Sequence, residues 1–211
     1  MKDLVPVTFD RILGRQELAT LQQLLATGQP LEETRDLKPL FESCRFLTLC
    51  LGLFGWGLAE PDLVAFQYQL FGDFACDIVV GDSKRHQYAF IELEDASPSS
   101  IFRRQGAKAV LEWAPRFERA FSQVVDWFWK LDDMASTAEF ETRFGRRQAR
   151  YYGLIVIGRS ADLAHGRDRQ RWEWRRHKLL VNSLPVYCVT YDELCEDLTT
   201  RLDGHYLQAG Q

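Results

Sequence analysis

Three acidic residues stand out by type and spacing. In the run from Tyr88 to Glu94, side chains alternate across an extended strand, so Tyr88, Phe90, Glu92 and Glu94 share one face and Ala89, Ile91 and Leu93 take the other. An upstream β-rich run, Phe74 to Val80, is joined to it by the polar stretch Gly81 to Arg85, which predicts a β-hairpin. With the turn between Lys84 and Arg85, Asp77 falls opposite Glu92. Asp77, Glu92 and Glu94 then converge within roughly 5–8 Å, the cross-strand and i,i+2 reach of a sheet. Such a trio repels itself unless a cation neutralises it, and hard oxygen donors suit Mg²⁺ or Mn²⁺. That chemistry is metal-assisted phosphodiester hydrolysis, in which the ion activates a water and stabilises charge growing on the phosphate. The plainer reading is a solvated sheet face. Against it, Tyr88 and Phe90 on the same face are apolar, and Asp95-Ala96-Ser97-Pro98 opens the acidic end at a loop.

A second concentration of charge lies downstream. From Arg143 to Lys178 there are eleven Lys/Arg against three Asp/Glu, in a chain whose overall charge is −4. Arg167, Arg169, Arg171, Arg175, Arg176 and Lys178 cluster in and before a helix, with Trp172 and Trp174 interleaved. Guanidinium groups grip phosphate bidentately, so this stripe, with Arg159 at the end of a strand, is a candidate nucleic-acid-binding surface. The alternative is a basic helix that is solvated or paired with acidic groups of the same or another subunit. Arg103 and Arg104 read as a charged loop, with a second phosphate-facing pair as the alternative, and Asp126 with Lys130 as a surface i,i+4 pair.

The elements that must position these groups follow from periodicity. Residues 16–26 and 36–58 carry apolar positions at helical spacing around the turn signal Gly28-Gln29-Pro30, and nothing in them looks chemical. Phe117, Phe121, Val124, Phe128 and Leu131 mark a helix that covers the sheet. Apolar runs Tyr151–Ile157 and Val186–Val189 flank a charged helical stretch around 168–181, a strand–helix–strand order that implies a parallel crossover. Thr190 and Glu193 form a capping box that opens a closing helix to about Arg201. The expectation is an α/β fold, a mixed central sheet flanked by helices. A helical N-terminal part, residues 1–69, packs on a core domain of residues 70–211.

Composition narrows the function. With 211 residues and 46% hydrophobic content a substantial core is available, and the net negative charge excludes a generally basic nucleic-acid or membrane binder. The apolar stretch 46–59 is too short to span a bilayer and reads as a buried helix; with no secretory signal pattern at the start, the expected location is cytoplasmic, without a membrane partner. Five cysteines without a C-x-x-C pair fit buried small hydrophobes. Four histidines lack metal-ligand spacing. No P-loop, G-x-S-x-G or G-x-G-x-x-G is present.

Taken together, an Asp on one strand, an acidic pair on the next and a following helix carrying Gln resemble the PD-(D/E)xK nuclease superfamily. More closely, IELEDA, the later YGLIVIGR, an Arg-rich helix and VTYDEL resemble the C-terminal nuclease domain of Shedu anti-phage defence proteins, over about residues 70–200. The resemblance implies a restriction-endonuclease-like fold, with Asp77 and Glu92 as metal-binding carboxylates for Mg²⁺ or Mn²⁺. It implies Gln123, with Trp127 four residues on, as the helix motif beside the site, DNA as substrate, and a homo-oligomer. The chain departs from the pattern at Glu94, which stands where the superfamily has its catalytic lysine, and at Ala75 and Cys76, where a proline is missing. The resemblance to E-x-E members of the superfamily implies Glu94 as a metal ligand or general base; the alternative is a lysine supplied from elsewhere, for which Lys108 and Lys130 are nearest in sequence. The rival is a non-catalytic nucleic-acid or protein-binding module on a nuclease scaffold.

Overall fold

The computed structural model describes residues 3–55, 57–107, 110–163 and 166–204. In chain order they form β1 (Val5–Pro6), α1 (Arg11–Ala26), a π-helical turn (Glu33–Leu37), α2 (Lys38–Ser43), α3 (Arg45–Leu51), β2 (Leu63–Leu70), β3 (Phe74–Asp82) and β4 (Gln87–Leu93). There follow β5 (Phe102–Arg103), β6 (Glu112–Trp113), α4 (Pro115–Met134), α5 (Ala138–Phe144), β7 (Arg150–Val156), a 3₁₀ turn (Ser160–Leu163), α6 (Gly166–Lys178), β8 (Leu180–Val181), β9 (Leu184–Val189) and α7 (Tyr191–Leu202). Lys108, His165 and His205 lie outside the described residues.

The main sheet has seven strands in the order β1-β2-β3-β4-β7-β9-β8. Its first four are antiparallel neighbours, β4, β7 and β9 run parallel, and β8 returns antiparallel on the edge. The expected mixed sheet between helices is therefore present. One face packs on α1, α2, α3 and α7 through residues such as Leu21, Phe41, Leu47, Ile91, Leu154 and Leu198. The other packs on α4, α5 and α6 through Phe90, Phe117, Phe128, Phe144, Ile155 and Trp172. The strands of the parallel part are apolar on both faces because helices cover both.

Most elements lie where periodicity puts them. The β3–β4 hairpin has the expected register, Ile78 opposite Ile91 and Asp82 opposite Gln87. In α7 both halves of the capping box form: Thr190 Oγ1 accepts from the Glu193 N–H, and the Glu193 carboxylate from the Thr190 N–H. All five cysteines are buried and free. The region read as one helix over 36–58 is instead broken at Cys44, whose φ of −103° and ψ of 74° are not helical, and α3 ends at Leu51. Apolar periodicity continued through that break because both short helices face the same core. β2 escaped the sequence reading; it lies directly beside β3 and spans the division expected at residues 69 and 70. Among the described residues no helix is long and apolar enough to cross a membrane.

Close approach of α4 to the sheet depends on Gly153 in β7. A Cβ there would stand 2.4 Å from Val124 Cγ1 and 3.2 Å from the Phe128 ring. Gly153→Ala is expected to destabilise the fold by roughly 1–3 kcal/mol through overpacking, measured as a lower urea midpoint with unchanged m-value.

Candidate functional site

The acidic residues meet where two strands part. β3 and β4 pair from Asp82 as far as Ile78 opposite Ile91, and beyond that point β3 continues only with β2. Both strands of the β2–β3 ribbon turn over there: Phe66 and Ile78 face the α1/α2/α3/α7 core, whereas Tyr68 and Cys76, two residues on, face the α4/α5/α6 core. Two residues along a regular strand return to the same face, so the ribbon rotates at Gln67, which has φ of 49°. Asp77 fills the gap this opens. Its Oδ2 accepts from the Leu93 backbone N–H at 3.0 Å, replacing the ladder partner that β3 no longer provides. Its Oδ1 accepts from Gln67 Nε2 at 3.0 Å and pairs with Lys38 Nζ at 2.6 Å.

Glu94 lies at the end of β4, where its backbone is fixed by the Val156 carbonyl at 2.9 Å and by the Tyr191 hydroxyl, which donates to its carbonyl at 2.8 Å. Its carboxylate meets Arg116 Nη1 at 2.6 Å. Arg116 also reaches Glu33 at 3.0 Å and Asp95 at 3.1 Å, and Glu33 pairs in turn with Lys38 at 2.6 Å. Five carboxylates, Glu33, Asp77, Glu92, Glu94 and Asp95, thus share two cations. Glu92 is the one left over. It is 6% exposed and, among the described residues, accepts no hydrogen bond and forms no ion pair.

The electrostatics follow. Burial, then the neighbouring charges of Asp77 and Glu94, push Glu92 up to about 9. Burial likewise raises Glu94 to about 7 despite Arg116, and raises Asp77 despite its bonds from Lys38 and the Leu93 N–H. Burial by itself lowers Lys38, but Asp77 and Glu33 together carry it above the ordinary lysine value. A desolvated carboxylate surplus of this kind is costly unless protons or a cation neutralise it. Among the described residues no three His, Cys, Asp or Glu side chains stand ready as a metal cage. The chemistry of the donors, all hard oxygen with the Glu92 carboxylate unpartnered, nevertheless fits a divalent cation.

The family model for the Shedu protein SduA, C-terminal, matches residues 31–195, a span that begins just before Glu33 and Lys38 and takes in every residue of this cluster. The chain belongs to this family. A search of curated proteins returns no match.

Several site residues of this Shedu-family chain were not legible in its sequence. Lys38 comes from the segment read as purely structural. Lys130, expected as one of two substitute lysines, pairs instead with Asp73 at 2.5 Å and Asp133 at 3.6 Å, and not with Asp126. Arg116 had one available signal: it follows Pro115 at the start of α4, where the helix dipole disfavours a cation and some nearby anion must compensate. Gln123 lies seven residues, about 10 Å, further along the same face of α4, half-buried, with no hydrogen bond to the cluster. The glutamine that does bond there is Gln67.

The basic candidates divide into two groups. Arg159 grips Asp192 through Nε and Nη2 at 2.9–3.1 Å and donates to the Leu25 carbonyl. Arg175 is bidentate to Glu118 at 2.6 and 2.9 Å and lies over the rings of Trp113, Phe117 and Phe121. Arg171 lies over Phe102 and Trp113 and bonds the Leu111 carbonyl, and Arg176 pairs with Glu173 and Glu193. Only Arg167, Arg169 and Lys178 of this set are exposed and free of ion pairs among the described residues. The even spacing of positive charge along α6 concealed that one side of the helix is buried.

The raised Glu92 fixes the sign of a stability change. A carboxyl that binds its proton more tightly when folded costs stability as pH rises from its unfolded value, near 4.5, towards about 9. Without divalent ions, Glu92→Gln is therefore expected to stabilise the protein by roughly 1–3 kcal/mol at pH 8 and by little at pH 4. Urea melts at the two pH values check this; equal shifts at both would show that Glu92 is not strained by its charge.

Proposed function

We propose that this chain is a metal-dependent DNA endonuclease of the PD-(D/E)xK type, with an E-x-E motif, acting in Shedu-type antiviral defence. The family supports the defence role, and the observation that carries the chemistry is the unpartnered, buried Glu92 beside Asp77. Asp77 and Glu92 would hold Mg²⁺ or Mn²⁺, with Glu94 as a further oxygen donor. The bound ion would supply a Lewis acid that generates hydroxide from water and neutralises charge on the scissile phosphate.

The chain's own residues do the rest. Lys38 brings to Asp77 the ammonium that the motif lacks at Glu94, and its position 2.6 Å from both Asp77 Oδ1 and Glu33 Oε1 lets it shift between the two carboxylates as charge changes. Arg116 fixes the Glu94 carboxylate and adds positive potential at the mouth of the site. Glu94, at about 7, is placed to accept or return a proton near neutrality. Gln123, on the same face of α4 as Arg116, would support the site from the side. Arg167, Arg169 and Lys178, with the paired Arg159, Arg171, Arg175 and Arg176 behind them, would offer DNA a positive approach. DNA as partner, a homo-oligomer and a cytoplasmic location belong to the same reading.

One observation favours a second reading, a binding module without catalysis: Lys38 and Arg116 already sit on Asp77 and Glu94. Incubation of plasmid and linear DNA with Mg²⁺ or Mn²⁺ separates the two. The nuclease reading expects cleavage that falls about 100-fold or more in Asp77→Asn and Glu92→Gln, and about 10–100-fold in Lys38→Ala with partial recovery in Lys38→Arg. Circular dichroism and urea melts show whether each variant is folded. Absence of cleavage by the wild-type protein on every substrate with both ions, together with salt-dependent DNA binding, would establish the module instead.

A further inference from the structure

At the far end of β4 from the acidic cluster lies a cleft of about 400 Å³ whose lining is polar and, apart from two glutamines, basic: Lys84, Arg85, His86, Arg146 and Arg150. It is separated from Glu94 by the length of β4, about 23 Å at 3.3 Å per residue. Among the described residues no carboxylate lines it. Lys84 and Arg85 are held from behind by Glu60, and Arg85 also by the fully buried Asp82 at 3.0 Å. Arg146 and Arg150 are exposed and, among the described residues, have no acidic partner.

The cleft is built on rigid backbone. Gly145 closes α5 in the left-handed conformation, φ 71°, and a Cβ on it would stand 2.8 Å from the His86 ring, so the helix end and the β3–β4 turn are packed in direct contact. His86 Nδ1 is 3.2 Å from the Phe144 carbonyl; because that oxygen only accepts, Nδ1 carries the hydrogen. The Tyr88 hydroxyl donates to the same carbonyl at 2.9 Å, and the Arg150 N–H donates to the His86 carbonyl at 3.0 Å. Arg146 therefore leaves a fixed helix cap, and Arg150 starts a strand in register with Gln87. Fixed backbone thereby roots two arginines without acidic partners, among the described residues, at one opening, where their like charges repel unless an anion lies between them. A planar fork of donors on a fixed stem is what binds phosphate oxygens bidentately.

We propose that this cleft is a binding site for a phosphate-bearing anion, gripped by Arg146 and Arg150 with Lys84 and Arg85 behind them. The proposal does not rest on the nuclease reading. The phosphate has two sources, a polynucleotide backbone or a free nucleotide, and the probes distinguish them: a fluorescein-labelled 12-nucleotide single strand and ATP, each titrated into the full chain in EDTA, so that the acidic cluster takes no part. Arg146→Ala/Arg150→Ala is expected to weaken binding at least about tenfold, whereas Arg45→Ala/Arg119→Ala, which removes two exposed arginines elsewhere, changes it less than about twofold. Loss confined to the oligonucleotide identifies a strand-binding subsite, and loss confined to ATP a nucleotide site. Equal loss in both double variants, or no binding of either probe by the wild-type protein, overturns the proposal. Because all four arginines are exposed, the variants should melt with the wild type, and a urea titration confirms it.

Discussion

Two strands that are paired along most of their length separate at Asp77, and the gap they leave is closed by a carboxylate rather than by backbone. Much of the chain's polar architecture answers that substitution. Once Asp77 stands in the ladder, Glu92 on the adjacent strand is buried beside a like charge, and Glu94 lies just beyond it. A desolvated negative cluster of this size has to be neutralised, and the protein does so by bringing cations from two distant helices, Lys38 from α2 and Arg116 from the first turn of α4. Glu33 and Asp95 tie those cations together. One carboxylate, Glu92, is left uncompensated, and a hydrophobic packing rationale would not leave a glutamate there.

This arrangement makes the N-terminal helices part of the site. Lys38 and Glu33 come from a segment that also supplies Leu37 and Phe41 to the core under the sheet, so the packing of α2 determines where the ammonium lies. β2 adds Gln67 to the same carboxylate, and its left-handed backbone at that residue is where the ribbon turns over. A residue with positive φ in a strand, bonded to the buried Asp77, is strain kept at a place where it aims a side chain.

Positive charge is distributed by a different logic. Much of the basic character of α6 is spent inside the molecule, in bidentate contacts with Glu118 and in stacking of Arg171 and Arg175 over an aromatic cluster. Guanidinium groups tolerate such burial because they are weakly hydrated and flat. Among the described residues, Arg146 and Arg150 at one end and Arg167, Arg169 and Lys178 on α6 are exposed cations without an acidic partner.

The sequence by itself determined the elements whose signal is local. Alternation in 88–94, the stripe from Phe117 to Leu131 and the Thr190–Glu193 capping box each specify one element, because side-chain period and cap chemistry act within a few residues. It also determined the hairpin register, and so the neighbourhood of Asp77, Glu92 and Glu94. What only the tertiary structure decided is which charges meet across the fold: Lys38 and not Lys130 beside Asp77, Gln67 and not Gln123 bonded to it, Arg116 on Glu94, and arginines of α6 turned inward. Those pairings join residues ten or more positions apart, and Coulomb attraction carries no periodicity along the chain by which to read them. They exist because packing of the two apolar faces places helix ends beside one strand terminus, and the ionic contacts then take whatever partners that packing brings within reach.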